Sequence, residues 1–135
     1  MSPAETGDLA AALAAVPGIG AVAREEDGAL AFRFGPLTGA VHAVTLAPGL
    51  DLATVSCVLA WDLPAGPVRA RAEQIQQQIM FGTLRLVERG TDCDVLLAYT
   101  FPWSGLTPDA LTVLLTLMLG GAGDARTALT DGPDR

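Results

Sequence analysis

Lysine is absent from this sequence, and its absence excludes two kinds of chemistry. All eight basic residues are arginines. A Schiff-base enzyme needs a lysine amine, and a phosphate-binding P-loop needs a lysine that reaches the β- and γ-phosphates. Neither class of enzyme is compatible with this sequence.

Histidine and cysteine are scarce, which limits the possible catalytic and metal sites. His42 is the one histidine, and the cysteines are Cys57 and Cys93. His42 and Cys57 lie in different predicted strands and could approach each other, but we interpret them as a strand histidine and a reduced core thiol. Asp92 and Asp94 flank Cys93 at a predicted turn, where hard or imidazole ligands are too few for a metal. We expect no catalytic residues, no metal site and no cofactor.

Positive charge is also scarce, and this argues against two classes of partner. The formal net charge is −7 and the sequence pI is about 4.4. Nucleic acids and anionic membranes bind clustered positive charge, so we expect neither as a direct partner. The N-terminal stretch has no basic leader, and the predicted helices are shorter than the roughly 20 apolar residues of a membrane span. We expect a cytoplasmic protein.

Half of the residues are hydrophobic, which is enough apolar surface for one core in a chain of 135 residues. We expect a single domain over residues 1–129 and a disordered tail over 130–135. Apolar periodicity and turn residues predict helices at 8–16, 68–80 and 107–119, and strands at 19–25, 29–34, 40–46, 52–61, 83–88 and 93–101. This order, α-β-β-β-β-α-β-β-α, predicts an α+β fold in which helices pack on an antiparallel sheet.

The helix at 107–119 has predicted signals at both ends. Thr107 can cap its first turn and Pro108 suits the first helical position, while Gly120 follows its last turn as a stop signal. A further helical turn is predicted at 124–129. The apolar arc is wider than the roughly 100° stripe of an ordinary surface helix. Either the first helix of the same chain covers its side face, Val113 and Leu117, or another molecule does.

The element order and the segment FPWSGLTPDAL of residues 101–111 together resemble the YbjN-like proteins and the class I type III secretion chaperones. The resemblance implies a small acidic homodimer that binds another protein or an extended peptide and performs no chemistry. It also implies a chaperone-like role, with loosely defined links to stress responses. In the secretion chaperones the second helix commonly contributes to the dimer contact. By that resemblance the dimer interface here is the helix 68–80 seam of Val68, Ala72, Ile75 and Ile79.

Four aromatic residues lie at the ends of predicted elements. They are Trp61, Phe81, Phe101 and Trp103. Aromatic residues in such positions are either lids on the core or anchors of protein interfaces, and we take these as a candidate partner-binding surface. A free sheet edge would also allow an extended peptide to add as a strand. The alternative function is a small-molecule-binding α+β domain, or a minor enzyme, with a pocket between sheet and helices.

Overall fold

The chain forms a six-stranded antiparallel sheet and three helices, in the order predicted from the sequence. The computed structural model describes residues 6–130, so residues 131–135 of the predicted tail lie outside the described residues. The elements are α1 (Thr6–Ala14), β1 (Ile19–Arg24), β2 (Leu30–Phe34), β3 (Leu37–Ala47), β4 (Leu50–Pro64), α2 (Ala65–Gln77), β5 (Thr83–Arg89), β6 (Asp92–Pro102) and α3 (Pro108–Thr130). The α+β fold class is therefore confirmed.

The strands follow the order β1-β2-β3-β4-β6-β5 across the sheet. Strands β1 to β4 form a meander in which each strand pairs with the next, and short turns join them. Strand β6 lies between β4 and β5. The sequence of β6 is apolar on both sides, which predicts a central strand, and its position confirms that prediction.

The core lies between one face of the sheet and the three helices. Alternate residues of β4 and β6 face the helices and are fully buried, as are the leucines of α1. The largest fully buried side chains include Leu9, Leu13, Val55, Leu59, Val95, Leu97, Leu115, Met118 and Leu119. Burial of each such side chain contributes about 1.5 to 3 kcal/mol, so this layer is the main source of stability.

The last helix is longer than predicted. We expected Gly120 to end it, but α3 continues without interruption to Thr130 and includes the turn predicted separately at 124–129. Ala122, Ala125 and Leu129 extend its buried side through the additional turns. A helical glycine costs about 1 kcal/mol relative to alanine, and the burial of Leu129 offsets such a cost. Packing therefore overrides the local stop signal.

The start of α3 agrees with prediction, and its contact with α1 decides between the alternatives for its side face. The amide of Ala110 donates a hydrogen bond to the Thr107 hydroxyl at 3.1 Å, which is the expected cap. The hydroxyl of Thr112 donates to the Ala12 carbonyl at 3.2 Å, so α1 packs along the Thr112 side. Val113 and Leu117 are consequently 57% and 53% exposed, so of the two alternatives for this side face, coverage by α1 is excluded.

Candidate functional site

One face of the sheet has no helix on it. The helices all pack on the opposite face, and no element of residues 6–130 covers this one. We call it the uncovered face and define it by the strand register. Its residues are Ala40, His42 and Val44 of β3, Thr54, Ser56 and Val58 of β4, Asp94, Leu96, Ala98 and Thr100 of β6, and Thr83, Arg85 and Val87 of β5.

The composition of the uncovered face differs from that of an ordinary solvated sheet face. Outward positions of an antiparallel sheet are usually polar. Here Asp94, which pairs with Arg89, lies at the end of the face, and the central positions of β4 and β6 are uncharged. Val58 lies directly opposite Leu96. The hydroxyls of Thr54 and Thr100 hydrogen-bond to each other at 2.8 Å. The centre of the face is therefore uncharged, with three apolar side chains and three that carry hydroxyls.

Trp61 lies at one end of this face, which differs from the alternation predicted for its strand. Strict alternation along β4 would place Trp61 on the same face as Cys57 and Leu59, both of which are fully buried. The β4–β6 register shifts between Val58 and Ala60, which is a bulge that adds one residue to β4. Because side chains alternate with a period of two, this extra residue reverses the faces beyond it. The Trp61 side chain is 62% exposed as a result.

Ion pairs hold the backbone next to Trp61. Asp62 has a positive φ of 54°, and its amide donates to Asp94 Oδ1 at 3.0 Å. The guanidinium of Arg89 forms ion pairs with both Asp62 and Asp94. The hydrogen bond from Arg89, with the one from the Asp62 amide, lowers the pKa of Asp94 below its usual range. Three chain segments are therefore tied together where Trp61 projects.

The other predicted surface aromatics are less accessible. Phe101 and Trp103 are each only 4% exposed and belong to the core, so neither side chain is available to a partner in this conformation. Phe81 is half-buried, and its ring lies 5.5 Å from the ring of Tyr99, centre to centre. Periodicity placed all four at element ends but could not tell which ends the helices cover. Trp61 is the member of the set with a largely free side chain.

The predicted dimer seam on α2 faces the core of the same chain. Val68 and Ile75 are buried against the helix–sheet layer, while Ala72 and Ile79 are half-buried. A groove of about 100 Å³ between α2 and α3 is lined by Ile75 and Ile79. The role of these four residues in a dimer stays a prediction, and most of their surface is used within the chain.

The candidate catalytic residues are not brought together. His42 lies on the uncovered face, whereas Cys57 lies on the helix-covered face of the sheet. Burial raises the pKa of Cys57 to about 12, so its thiol stays protonated. Within residues 6–130, no cluster of three or more His, Cys, Asp or Glu side chains could hold a metal ion. The described helices also include none that is long and apolar enough to cross a membrane.

One pocket is relevant to the small-molecule alternative. It has a volume of about 330 Å³ and lies between the β2–β3 turn and the second half of α3. Phe34 and Leu37 supply apolar walls, and Arg126 supplies a cation that donates a hydrogen bond to the Leu59 carbonyl at 2.6 Å. It is the size of a small ligand site, although it lies at the margin of the helix–sheet layer.

Comparison with known proteins supports the fold. The structure is similar to the crystal structure of YbjN from E. coli, a proposed transcription regulator, with a TM-score of 0.63 and 12% sequence identity. The similarity covers 96% of this chain and 96% of the YbjN chain. No protein-family model and no curated protein matches the sequence. The fold is therefore YbjN-like, as the element order predicted.

Proposed function

We propose that the protein is a non-catalytic binding module whose uncovered face contacts another protein, beginning with a second copy of the same chain. The observation that carries the proposal is an uncharged strip along the central strands, in which Val58 and Leu96 lie opposite each other, with no helix of residues 6–130 on it. In an antiparallel sheet with one solvated face, this strip would ordinarily be polar. The chaperone-like role and the link to stress responses that the resemblance implies belong to this proposal.

Association through the uncovered face requires several apolar side chains. Full burial of a Leu or Val side chain contributes about 1.5 to 3 kcal/mol, and association costs roughly 4 to 15 kcal/mol in lost freedom. Several side chains must therefore be buried together. Val44, Trp61 and Val87 are 54%, 62% and 49% exposed and lie around the flat central strip. Such an arrangement, with an exposed aromatic at one end of a small-residue surface, is typical of protein interfaces.

The charge distribution favours a dimer through this face over other surfaces. Two copies with a net charge of −7 each repel one another. Asp94, the acidic residue of the uncovered face, is paired with Arg89, and Arg85 lies at the β5 border of the face. A two-fold contact uses the same patch on both copies, so an uncharged patch avoids pairing like charges.

The experiment that tests the proposal is sedimentation velocity over a range of micromolar concentrations. We expect the wild-type chain to form a reversible dimer and Ser56→Arg to be a folded monomer, because a buried unpaired guanidinium is costly. Val113→Arg places the same charge on the outer side of α3 and is the matched control, which we expect to dimerise normally. A wild-type monomer, or a Ser56→Arg dimer of unchanged affinity, would contradict the proposed dimer.

The same variants extend the test to other partners. Wild-type and Ser56→Arg proteins are used as baits in a pull-down followed by mass spectrometry. We expect protein partners that bind the wild-type bait and the Val113→Arg bait but are lost with Ser56→Arg. Partners that are retained equally by all three baits would place binding on a different surface.

A small-molecule-binding domain is the second candidate function, and the pocket beside Phe34 and Arg126 is the observation that favours it. Its predicted ligand would combine an apolar body with an anionic group, since the wall is apolar with one cation. A thermal-shift screen of small aromatic carboxylates tests it. Stabilisation that is lost in Gly123→Leu, which would fill the pocket, would favour this function over the first.

A further inference from the structure

Half of strand β3 has a free edge within the sheet. Strand β4 pairs with β3 along nearly its whole length, to the turn at Ala47. Strand β2 pairs with β3 only as far as the Leu30 to Val41 pair, and no strand among residues 6–130 pairs with the other side of residues 42–47. An unpaired strand edge is a row of backbone donors and acceptors that can accept another strand.

The alternation of the ladder indicates which backbone groups are free. Gly35 and Pro36 form a two-residue turn closed by the Phe34 to Leu37 pair. In such a hairpin the two closing residues each donate a backbone hydrogen bond to the other. Every second residue along the two strands then forms the same kind of pair with the residue opposite it. By this count the backbone of residues 37, 39 and 41 points toward β2. The amides and carbonyls of Ala43 and Thr45 therefore point toward the free side.

The free half-edge has apolar side chains beside it. Val44 and Leu46 are 54% and 62% exposed, and Leu50 across the turn is 40% exposed. Natural proteins usually protect such an edge with lysine, proline or inward-pointing charge. Residues 42–47 contain none of these protective residues. His42 is the one ionisable residue in this segment.

An acidic turn adjoins the same edge. Glu25, Glu26 and Asp27 line an open groove of about 640 Å³ whose floor includes Ala31 and Ala40. Asp27 is partly used, because its carboxylate accepts a hydrogen bond from the Ala29 amide and lies 3.9 Å from His42 Nε2. Glu25 and Glu26 are exposed and form no ion pair within the described chain. The groove therefore has uncompensated negative charge.

We propose that the free half of β3 binds an extended segment of a partner protein by strand addition, and that this segment carries arginine or lysine beside the acidic turn. The inference rests on the proposed protein-binding function and adds a second contact to it, on an edge instead of a face. Backbone pairing with Ala43 and Thr45 would supply affinity without sequence preference. Val44 and Leu46 would favour apolar residues in the partner, and Glu25 with Glu26 would select its charge.

A second copy of the chain is the less suitable occupant of this edge. Its own net charge of −7 would be brought to the acidic groove. Like charges brought together in a contact oppose binding, whereas a basic segment complements the groove. Two copies can associate through the uncovered face and leave both β3 edges accessible, so the two contacts are compatible.

Amide hydrogen exchange followed by NMR tests the inference on the full chain. The probe is a short synthetic peptide of alternating valine and threonine with an arginine-rich end, and the control peptide has glutamates in place of the arginines. We expect the amides of Ala43 and Thr45 to exchange fast in the free protein and to become at least tenfold protected by the arginine peptide. The glutamate peptide should give no protection at the same concentration.

Two sets of variants separate the backbone contact from the charge contact. Ala43→Pro removes one outward donor and should abolish protection at Thr45, while Ala43→Val keeps the donor and should bind normally. Glu25→Gln with Glu26→Gln should weaken binding roughly fivefold in low salt, in line with small contributions from exposed charges. Glu73→Gln with Asp124→Asn removes the same charge elsewhere and should leave affinity unchanged. Circular dichroism confirms that each variant is folded.

The outcomes distinguish this inference from the proposed function. Protection of Ala43 and Thr45 by both peptides alike would overturn the charge selection, and protection by neither would overturn strand addition at this edge. Peptide-induced changes confined to Ser56 and Ala98 would place the segment on the uncovered face instead. Concentration-dependent protection of Thr45 without peptide would identify a second copy as the occupant. The Ser56→Arg dimer test is measured separately, and none of these outcomes changes its result.

Discussion

The Asp94 carboxylate on β6 is held by the guanidinium of Arg89, the last residue of β5, across the turn that joins the two strands. Arg89 Nη2 lies 3.1 Å from Asp94 Oδ1, the two groups form an ion pair, and the same oxygen accepts the Asp62 amide of β4. Asp94 is 6% exposed although it lies outside the helix-covered core. One buried carboxylate therefore connects three strands at the place where Trp61 projects.

The first prediction concerns the dependence of stability on pH. Arg89 lowers the pKa of Asp94 in the folded chain, so the ion pair stabilises the fold fully above the unfolded-state value of about 3.9 and is lost as pH falls through the lower folded value. Asp94→Asn should lower the free energy of unfolding at pH 7 and show a shallower decline below pH 4. Urea unfolding between about pH 2 and pH 7 measures both effects. If the free energy of unfolding fell with pH in the same way in Asp94→Asn and Asp124→Asn, that result would contradict the prediction.

The second prediction concerns close packing between β2, β3 and β4. A Cβ on Gly39 would lie 2.6 Å from the Phe32 ring and 2.5 Å from the Ser56 carbonyl, so something must shift. Gly39→Ala should lower the free energy of unfolding by about 1 to 3 kcal/mol, as overpacking does. Gly66→Ala, where no atom lies within 4 Å, is the control and should not destabilise. Equal stability of the two variants in urea would show that β2 and β3 are less tightly packed than described.

The third prediction tests whether α3 is continuous. Gly120 lies in the interior of the helix, is exposed, and has open space where a Cβ would be. Gly120→Ala should raise the free energy of unfolding by about 1 kcal/mol, because alanine has the higher helix propensity. Thermal unfolding followed by circular dichroism measures it. Destabilisation would indicate that the helix ends at this glycine, as the local signal predicted.

The fourth prediction concerns Trp61 as an interface anchor. Truncation of Trp61 to alanine should change the free energy of unfolding by less than about 0.5 kcal/mol, since the side chain is largely exposed. The same change should weaken the dimer about tenfold or more, as loss of a buried aromatic anchor does. Met80→Ala is the control, because Met80 is 82% exposed and lies in the α2–β5 connection. An undiminished Trp61→Ala dimer would exclude Trp61 from the interface.

The sequence was sufficient for the order and type of the elements, because periodicity and turn residues are local signals. It failed where distant packing decides. Gly120 is a local helix-termination signal, but α3 continues beyond it because Leu129 is buried further along the helix. Local alternation places Trp61 on the same sheet face as Leu59. A β-bulge, which has no clear local sequence signal, puts the Trp61 side chain on the other face.

The candidate site was harder to predict than the fold. Alternation shows that β4 and β6 are apolar on both sides, which predicts central strands, but it does not show that all three helices pack on one face. Ser56 and Ala98 therefore look like ordinary buried positions in the sequence. Phe101 and Trp103 looked like surface aromatics because they precede a loop, and the core covers them. Which face is free depends on the helix connections, and these are not encoded in local periodicity.

The most direct test of the account is an isotope-filtered NOE measurement on a mixture of labelled and unlabelled wild-type chains. It detects contacts between copies without any substitution. We predict intermolecular NOEs to the methyl groups of Val58 and Leu96 at the centre of the uncovered face. Intermolecular NOEs to Val113 and Leu117 of α3 alone, or none at concentrations where sedimentation shows a monomer, would contradict the proposal that this face is a contact surface between copies.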